Sequence, residues 1–564
     1  MHLVHLVIIA VPLIIVGLSM SACRCGSEPV DEHASASSAT PEVIPRPPIQ
    51  AGPPARSLRS LVIADASALA GIDLGPVEEL DLAMSELDAQ RRPLELAGLD
   101  PEPQPQPQPQ PSSESGETGG SEPPPLASPR CAGLDLHDIA KRAPRLTALR
   151  ISGCQAAVHA GLSAFGERLR TLELVDLELD AVTVARLSQL HGLETLILTR
   201  VHAEPDALKP LGRKISPSSV TLRELRKDSP VAELFGILRN IRELRIVGPW
   251  VTHTTMIQVG KAKKLESLAV INTEIGNYSL HQIKPLDKLR RIEWSGPGFN
   301  DSSPLYIRDL PIEELVCDCP RFGDRGLHQL RLLSGLRVLD LERSSVTSAG
   351  LANLAPLQRL EEVTLRYVDL DGDGFTALAT LPMLTRLVLG PGTLLDPMAS
   401  GLGQLTGLRE LVVGLEDFGD QAAPQLATLI ALEHLDLGNT VISDAGLQYL
   451  APLVALEHLD LHHTRVTKHG LAHLSGMRKL EILELDHTDV VDEGVVYLAA
   501  LRSLRALRLD DTLITDAALP HLVGLTQLER LNLANTVVTR EGLAVLSKLE
   551  QLGSVNLAGT RAAE

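Results

Sequence analysis

At 564 residues the chain is longer than one ordinary hydrophobic core can accommodate, so it must form several domains or grow along one axis. Its formal net charge of −19 argues against a general nucleic-acid binder, which needs a basic surface. Aromatic side chains are only 2% of the residues, so aliphatic side chains, chiefly leucine, must supply the core.

The first segment, residues 1–22, is predicted to be a signal peptide. Residues 3–18 are apolar apart from His5 and Gly17, and this run is shorter than the roughly 20 residues that a spanning helix needs. Ser21 and Ala22 then precede Cys23. Small residues before a cysteine resemble the lipobox of bacterial lipoproteins, and this resemblance implies that Cys23 is lipidated. A plain secretory signal and an uncleaved membrane anchor are the alternatives.

Three segments then precede the main body of the chain. Residues 23–57 are rich in Ser, Ala, Pro and Glu, which predicts a disordered tether. Residues 58–99 contain two short copies of an LxxLxL pattern and are candidates for degenerate repeats. The copies are Leu58, Leu61 and Ile63, then Val77, Leu80 and Leu82. Residues 100–130 are a Pro/Gln/Ser-rich low-complexity segment, typical of an extended polyproline rod or a solvated loop.

Residues 131–564 repeat the pattern LxxLxLxxTxVTDxGLxxLxxLxx with a period of 24 residues. The pattern is clearest in five consecutive blocks, which start at Leu432, Leu456, Leu480, Leu504 and Leu528. Twelve further blocks precede them from Leu146 onward, and two of these are 23 residues long. The block at Pro217 is degenerate, although Val220 and Leu222 keep its register.

The two halves of a block have different hydrophobic periods. LxxLxL ends in an alternation that predicts a short strand with Leu435 and Leu437 facing inward. GLxxLxxL has the spacing of a helix with one apolar stripe. Ser443 and Asp444 lie just before that helix and are expected to accept its free N–H groups. One block cannot bury its apolar side chains alone, so neighbouring blocks must stack and pair their strands.

A period of roughly 20–29 residues with an LxxLxL core is the signature of leucine-rich repeats, and the chain resembles that family. The resemblance implies an α/β fold, a curved leucine-rich-repeat solenoid with parallel strands on the concave face and helices on the convex face. The TDxGL helix start is also similar to that of F-box leucine-rich-repeat proteins and related bacterial families, which implies adaptor-like recognition of proteins.

Polar residues of the last five blocks are expected to line the concave face. Positions 3, 5, 7 and 8 of each block point to that face or its edge. Parallel strands lie about 4.8 Å apart, so equivalent positions should stack into columns. The predicted partner-binding residues are His434, Asp436, His458, Asp460, His462, Glu484, Asp486, Arg508 and Asp510. A solvated polar surface without a partner is the alternative, because exposed strand positions must be polar in any case.

The cysteines of the array suggest one covalent link. Cys131 and Cys154 lie in its first turns, and in an exported protein they could form a disulfide that clamps the N-terminal end. Two buried free thiols are the alternative. Cys317 replaces the sixth-position leucine of its block and is expected in the core, and its pairing with Cys319 is too sparse for a zinc site.

Basic residues are concentrated in one stretch of the otherwise acidic chain. Residues 209–291 contain 16 Lys and Arg against 7 Asp and Glu, a net charge of +9. These residues fall at many different positions of the repeat. Scattered, solvated charge is therefore favoured over a patch that binds an anionic partner.

The chain contains no glycine-rich phosphate loop, nucleophile elbow or HExxH motif, so no enzyme activity, catalytic residue, cofactor or metal site is predicted. We expect a monomeric protein–protein interaction module of a bacterial cell envelope, lipid-anchored through Cys23 and extracytoplasmic, on the outer membrane rather than the inner. Its expected partner is a protein and not a nucleic acid. The alternative is a receptor that binds a ligand or a divalent metal through the His/Asp columns.

Overall fold

The computed structural model describes residues 60–63, 74, 77, 79–82, 131 and 133–562, with gaps at 205, 228, 369–371, 391–395 and 415. The chain forms two compact units, Met1–Leu193 and Glu194–Glu564. The predicted signal peptide, tether and low-complexity segment lie outside the described residues. Within the described ranges, every helix is too short or too polar to cross a lipid bilayer.

The first unit is built on strands that pair in parallel in chain order. Leu61 lies opposite Leu80, and Leu80 lies opposite Leu149, so the two LxxLxL copies of residues 58–99 continue the sheet in register. The strands are Ser60–Ile63, Glu79–Leu82, Ala148–Ser152, Thr171–Val175 and the short Glu178–Leu179. The helices are Leu136–Arg142, Gln155–Gly161 and Ala181–Leu187, with a 3-10 turn at Leu162–Phe165.

The second unit repeats one main strand per block, and each main strand pairs in parallel with the next. The short strand His202–Ala203 is additional and lies outside this series. Its strands are Thr195–Thr199, His202–Ala203, Ser219–Arg223, Glu243–Val247, Ser267–Ile271, Arg291–Ser295, Glu314–Asp318, Val338–Glu342, Glu362–Arg366, Arg386–Leu389, Glu410–Val413, His434–Asp436, His458–Asp460, Ile482–Glu484, Ala506–Arg508, Arg530–Asn532 and Ser554–Asn556. The degenerate block keeps its place, because Val220 lies opposite Leu196 and Leu222 opposite Leu198.

Helical turns carry the chain from one strand to the next. The α-helices of the second unit are Leu234–Ile237, His253–Val259, Asn277–Leu280, Pro304–Ile307, Asp324–Leu330, Ser348–Leu351, Gly372–Leu378, Asp444–Leu447, Asp492–Val495, Leu519–Leu522 and Arg540–Leu543. The 3-10 turns are Lys209–Arg213, Pro230–Glu233, His281–Ile283, Ala352–Leu354, Asp396–Gln404, Ala423–Thr428, Gln448–Leu450, Gly470–Leu474, Val496–Ala500 and Ala544–Lys548.

These helical turns are tighter than the sequence pattern predicts. In the block at Leu432, one α-turn ends at Leu447 and a 3-10 turn follows at Gln448–Leu450. The inward leucines Leu447, Leu450 and Leu453 are spaced three residues apart, and all are fully buried. A 3-10 turn has 3.0 residues per turn and keeps such a row on one face, whereas a longer α-helix would rotate it away from the core.

Columns of leucine form the core of each unit. Leu432, Leu435 and Leu437 are at most 1% exposed, and Leu435 lies directly opposite Leu459 of the next block. Fully burying each such side chain contributes about 1.5–3 kcal/mol. The prediction that these leucines face inward, and that stacking completes their burial, is confirmed.

A recurring turn follows the strands of the last five blocks at the same place. The residue at position 8 has a left-handed backbone although it is not glycine, with φ of 59° at Asn439, 51° at His463 and 54° at His487. A threonine follows, and its hydroxyl donates to the carbonyl three residues back, as from Thr440 to Leu437 at 2.7 Å. The turn brings the side chains at position 8 to one edge of the strands in successive blocks.

The TD pair of the motif joins neighbouring blocks. Asp444 accepts from the backbone N–H of Thr467 at 2.8 Å and from its hydroxyl at 2.6 Å. Equivalent bonds join Asp420 to Ser443, Asp492 to Thr515 and Asp516 to Thr539. Ser443 caps its own helix through the N–H of Ala445, as predicted, but the prediction that Asp444 does the same is wrong. A Cβ at Gly470 would lie 2.5 Å from the Asp444 carboxylate, which explains the glycine of the motif.

Candidate functional site

Strand pairing brings the predicted partner-binding residues together in columns. His434 lies opposite His458, and Asp436 lies opposite Asp460. The column at position 5 continues through Glu484 to Arg508. The columns predicted from the 24-residue period are thereby confirmed. We call the polar cluster they form the C-terminal patch, and its residues are Asp436, His458, Asp460, His462, Glu484, Asp486, His487, Arg508, Asp510 and Asp511.

Arg508 is the cation at the centre of the patch. Its guanidinium donates to Glu484 at 2.7 Å, to Asp486 at 3.1 Å and to Asp510 at 3.4 Å. Asp510 also accepts a bond of 2.6 Å from the amide of Asn532. One guanidinium therefore binds three carboxylates, one at position 5 and two at position 7 of adjacent blocks.

Asp436 and Asp460 place two like charges side by side on adjacent strands. The N–H of Gly438 donates to Asp436 at 2.9 Å, and Nδ1 of His462 donates to Asp460 at 2.7 Å. Nε2 of His462 accepts from the amide of Asn439, so this bonding arrangement suits the neutral imidazole. Burial, and then repulsion by Asp460, raises the pKa of Asp436 to about 6.

His458 and Glu484 form a half-buried ion pair beside this couple, with Nε2 of His458 lying 3.3 Å from the carboxylate. Burial lowers the pKa of His458, but the hydrogen bond and charge of Glu484 outweigh it, so the net shift is upward. Burial likewise opposes a net downward shift in the pKa of Glu484, which His458 and Arg508 produce. His434 is exposed and meets His458 edge-on, with ring centroids 6.0 Å apart.

Asp486 is the most deeply placed carboxylate of the patch, with only 3% of its surface exposed. One oxygen, Oδ2, accepts from Arg508 and lies 3.3 Å from Nδ1 of His487. The other oxygen, Oδ1, has no hydrogen-bond partner among the described residues. Burial raises the pKa of Asp486, partly offset by the charge of Arg508.

The structure adds residues that the predicted partner-binding set left out. His463 and His487 stack with their ring centroids 4.0 Å apart, and Nε2 of His487 lies 3.4 Å from Asp511. The two histidines and Asn439 line a shallow groove at the ends of the strands. Their common place at position 8 was visible in the repeat, but the left-handed turn that stacks them was not.

The patch is unbalanced in charge. It carries one guanidinium against six carboxylates, which belong to Asp436, Asp460, Glu484, Asp486, Asp510 and Asp511. Position 5 is neutralised in other blocks, where Arg150 meets Glu173 at 3.1 Å and Arg245 meets Glu293 at 3.0 Å. The C-terminal patch is thus an anionic surface of a kind that attracts cations.

Two groups within the patch have the residue types and spacing to hold a metal ion. Asp436, Asp460 and His462 each offer a ligand atom, and these atoms lie within 4.8 Å of one another. Asp486, His487 and Asp510 do the same. The prediction of no metal site did not anticipate that the end of the strand would bring these side chains so close.

The cysteines lie at two places in the array. Cys131 and Cys154 are joined by a disulfide with S–S 1.99 Å and Cα–Cα 5.6 Å, which links the start of the array to the next block. Cys317 is fully buried and lies opposite Leu341 on the neighbouring strand, as expected of a core residue. Cys23, the predicted lipidation site, lies outside the described residues.

Comparison with known proteins is informative about the repeat. A leucine-rich-repeat family model matches residues 431–451, about one block of the array. No curated protein matches the chain in sequence.

Several solved structures are similar to the chain at low identity. An internalin (inlF) from Listeria monocytogenes is 18% identical, with 67% of this chain and 89% of that chain covered and a TM-score of 0.34. A Leptospira interrogans leucine-rich-repeat protein is 19% identical, with 66% and 80% covered and a TM-score of 0.35. A chain of the Drosophila Toll–Spatzle complex is 15% identical, with 72% and 60% covered and a TM-score of 0.41.

The repeat period, the parallel strand register and the family match together identify an α/β solenoid of leucine-rich repeats. The chain therefore has the leucine-rich-repeat fold, and the family match covers one block of it. Solenoids of stacked repeats present extended concave surfaces on which other molecules can bind.

Proposed function

We propose that the chain is a protein-interaction module whose C-terminal patch binds a positively charged segment of a protein partner. The observation that carries this proposal is the charge balance of the patch, with six carboxylates around the single guanidinium of Arg508. Complementary charge speeds the encounter of two proteins and selects against like-charged partners. The same surface repels the phosphates of nucleic acids, so a protein is the expected partner.

The exposed fraction of each side chain separates the carboxylates that can touch a partner from those that act only through their charge. Asp436, Asp460 and Glu484 are half-buried along one column, so an extended basic segment can meet them in succession. Asp486 and Asp510 are buried, with 3% and 7% of their surfaces exposed. These two contribute negative potential to the surface and make little direct contact with a partner.

The test uses a fluorescent arginine-rich peptide and measures its binding to the purified chain by anisotropy at low and high salt. Asp436→Asn with Asp460→Asn should weaken binding by about tenfold, since each neutralised contact is worth roughly 0.5–1 kcal/mol near the surface. Rising salt should weaken the wild type more than the variant.

The matched control neutralises position 5 elsewhere, in Glu173→Gln with Glu293→Gln. Those carboxylates already face an arginine of a nearby block, so their loss should leave peptide binding unchanged. Equal weakening by the two double variants would mean that the peptide senses only the net charge of the chain and would reject the patch as the binding surface.

We further propose that the module is held at a bacterial cell envelope by lipid on Cys23, on the extracytoplasmic side and at the outer membrane. The order of segments supports this: an apolar run, then Ser21 and Ala22, then the cysteine.

Mass spectrometry of the mature protein tests the anchor. We expect an N-terminus at an acylated Cys23 and recovery of the protein with membranes, while Cys23→Ser should remain an unacylated precursor. An unmodified N-terminus at another residue, or retention of residues 1–22 by the wild type, would favour plain secretion or an uncleaved helical anchor instead.

A further inference from the structure

A second kind of binding chemistry lies at the edge of the C-terminal patch. Asp486 and Asp510 both occupy position 7, in adjacent blocks, and His487 follows Asp486 directly. A backbone bond of 3.0 Å from the N–H of His487 to the carbonyl of Asp510 fixes their relative height. One ligand atom from each side chain lies within 4.8 Å of the other two.

One carboxylate oxygen in this cluster is buried and open to a cation. Asp486 has only 3% of its surface exposed, and its Oδ1 lacks any hydrogen-bond partner in the described part of the chain. Leaving a buried charged oxygen without a partner is costly, and native structures avoid it. A metal ion would satisfy that oxygen, because carboxylate oxygens are strong ligands for divalent cations.

The charge around the cluster also favours a further cation. Arg508 supplies one positive charge, which it shares among Asp486, Asp510 and Glu484. Asp511 adds another carboxylate on the far side of the His487 ring, at 3.4 Å. With four carboxylates around one guanidinium, the cluster stays negative after Arg508 is counted.

We infer that Asp486, His487 and Asp510 form a binding site for one divalent transition-metal ion, with zinc as the representative. Zinc takes imidazole nitrogen and carboxylate oxygen at about 2.0–2.2 Å, commonly in a tetrahedral arrangement. Its ligand atoms therefore lie roughly 3.0–3.6 Å apart, so the three side chains close by a small rotation on binding. The ion enters through the shallow groove lined by His487 and by His463, whose ring stacks on the ring of His487.

The neighbouring group of Asp436, Asp460 and His462 is less suited to this role. Its closest nitrogen and oxygen, on His462 and Asp460, already share a hydrogen bond of 2.7 Å, and Asp436 accepts from the N–H of Gly438. A metal held by Nδ1 of His462 would have to break its 2.7 Å bond to Asp460, which is shorter than the 3.3 Å contact between His487 and Asp486. This site therefore differs from the stacked His/Asp columns that the repeat pattern alone suggested, because it combines positions 7 and 8.

Calorimetric titration of the purified chain with zinc chloride tests the site. We expect one tight binding event per chain, weakened at least about tenfold in Asp510→Asn and in His487→Ala, because each removes a direct ligand. The matched control is Asp318→Asn. Asp318 also occupies position 7 but is paired with Arg343 instead, so this variant should bind zinc as the wild type does.

Two further measurements keep the result interpretable. Circular dichroism in the absence of zinc shows whether each variant folds, and zinc should raise the thermal midpoint of the wild type but not of the ligand variants. The cobalt(II)-loaded chain should show the spectrum of nitrogen and oxygen ligands, without thiolate bands.

Three outcomes would overturn the inference. The first is the absence of a saturable heat of binding, and the second is unchanged affinity in folded Asp510→Asn and His487→Ala. The third is loss of tight binding in Asp436→Asn instead, which would place the ion at the neighbouring group. Zinc binding is measured without the basic peptide, so its failure leaves the proposed partner-binding function untouched.

Discussion

The strand face of the middle blocks and that of the C-terminal blocks use the same register positions to opposite effect. At position 5, Arg245 reaches across one block to Glu293, and the two charges cancel at 3.0 Å. In the C-terminal blocks the same position carries Asp436, Asp460 and Glu484 in succession before Arg508 appears. The fold requires polar side chains at these positions, but it does not determine whether their charge is positive or negative.

The basic stretch of residues 209–291 shows that a high net charge does not by itself form a charged patch. Its net charge of +9 does not gather into one cationic site. Arg242 pairs with Glu266 at 2.9 Å, Arg291 pairs with Glu314 at 2.8 Å, and Lys264 donates to Asn240. The interpretation as scattered charge agrees with these contacts. The net charge of a stretch of sequence therefore predicts a charged binding surface less well than the charges of residues at equivalent positions in adjacent blocks.

If the two regions differ only in surface charge, a break in the leucine core should be equally severe in both. Leu459→Asp and Leu268→Asp each place a carboxylate where the wild-type side chain is 0% exposed. We expect each to cost more than about 4 kcal/mol, because the buried charge would lack a partner. Urea unfolding followed by circular dichroism measures the loss.

The matched control for this comparison is Leu513→Asp. Leu513 belongs to the same C-terminal blocks but is 59% exposed, so its replacement should change stability by less than about 0.5 kcal/mol. A small effect of Leu459→Asp would show that the leucine register assigned to the array is wrong.

The Asp–Thr bonds between blocks should give the next largest effect. Asp444→Ala removes both bonds to Thr467 and leaves its backbone N–H unsatisfied, at an expected cost of about 2–3 kcal/mol. The control is Lys468→Ala, because Lys468 occupies the position of Asp444 in the next block. Its counterpart of Thr467 is Val491, which has no hydroxyl, so this variant should cost less than about 0.5 kcal/mol. Equal losses in the two variants would argue against a structural role for these bonds.

Much of the architecture was predictable from the sequence because the same pattern of leucines and polar residues recurs in every block. The inward leucines, the parallel register and the column of Asp436 on Asp460 all follow from a fixed period. The forward bond of Asp444 was missed because a helix cap and a bond to the next block need the same residue types before a helix. The 3-10 turns were missed because their spacing of three was read as part of a helical period.

The details of the site depended on side-chain geometry that no period contains. The sequence placed Asp486 on the strand face, yet the structure buries it and leaves one oxygen without a partner in the described residues. The stacking of His463 on His487 depends on a left-handed backbone at position 8. The sequence could show that these residues share a surface, but not how deep each one lies.

The third prediction sharpens the contrast in charge. The folded-state pKa of Asp436, about 6, lies above the ordinary aspartate value of 3.8, so its ionisation destabilises the fold as pH rises through this interval. Asp436→Asn should therefore stabilise the chain above pH 6 by roughly 1–3 kcal/mol and have no effect near pH 3.5. Glu173→Gln, which weakens a balanced pair, should instead destabilise by about 0.5–1 kcal/mol at neutral pH. Unfolding free energies measured against pH decide the matter, and a destabilised Asp436→Asn at pH 8 would contradict the unbalanced charge.

The smallest expected effect concerns His458, whose pKa is raised in the folded state by Glu484. The stabilisation from this pair is fully present below the ordinary histidine pKa of 6.5 and is lost as pH rises through the higher folded value. Since Glu484 has a lowered pKa, the pair is fully charged between the two titrations. His458→Gln should then cost about 0.5–1 kcal/mol at pH 6 and close to nothing at pH 9, because the half-buried pair is partly screened by solvent. His521→Gln on the exposed helical side is the control, and a pH-independent loss in His458→Gln would mean that packing, and not charge, holds this histidine in the patch.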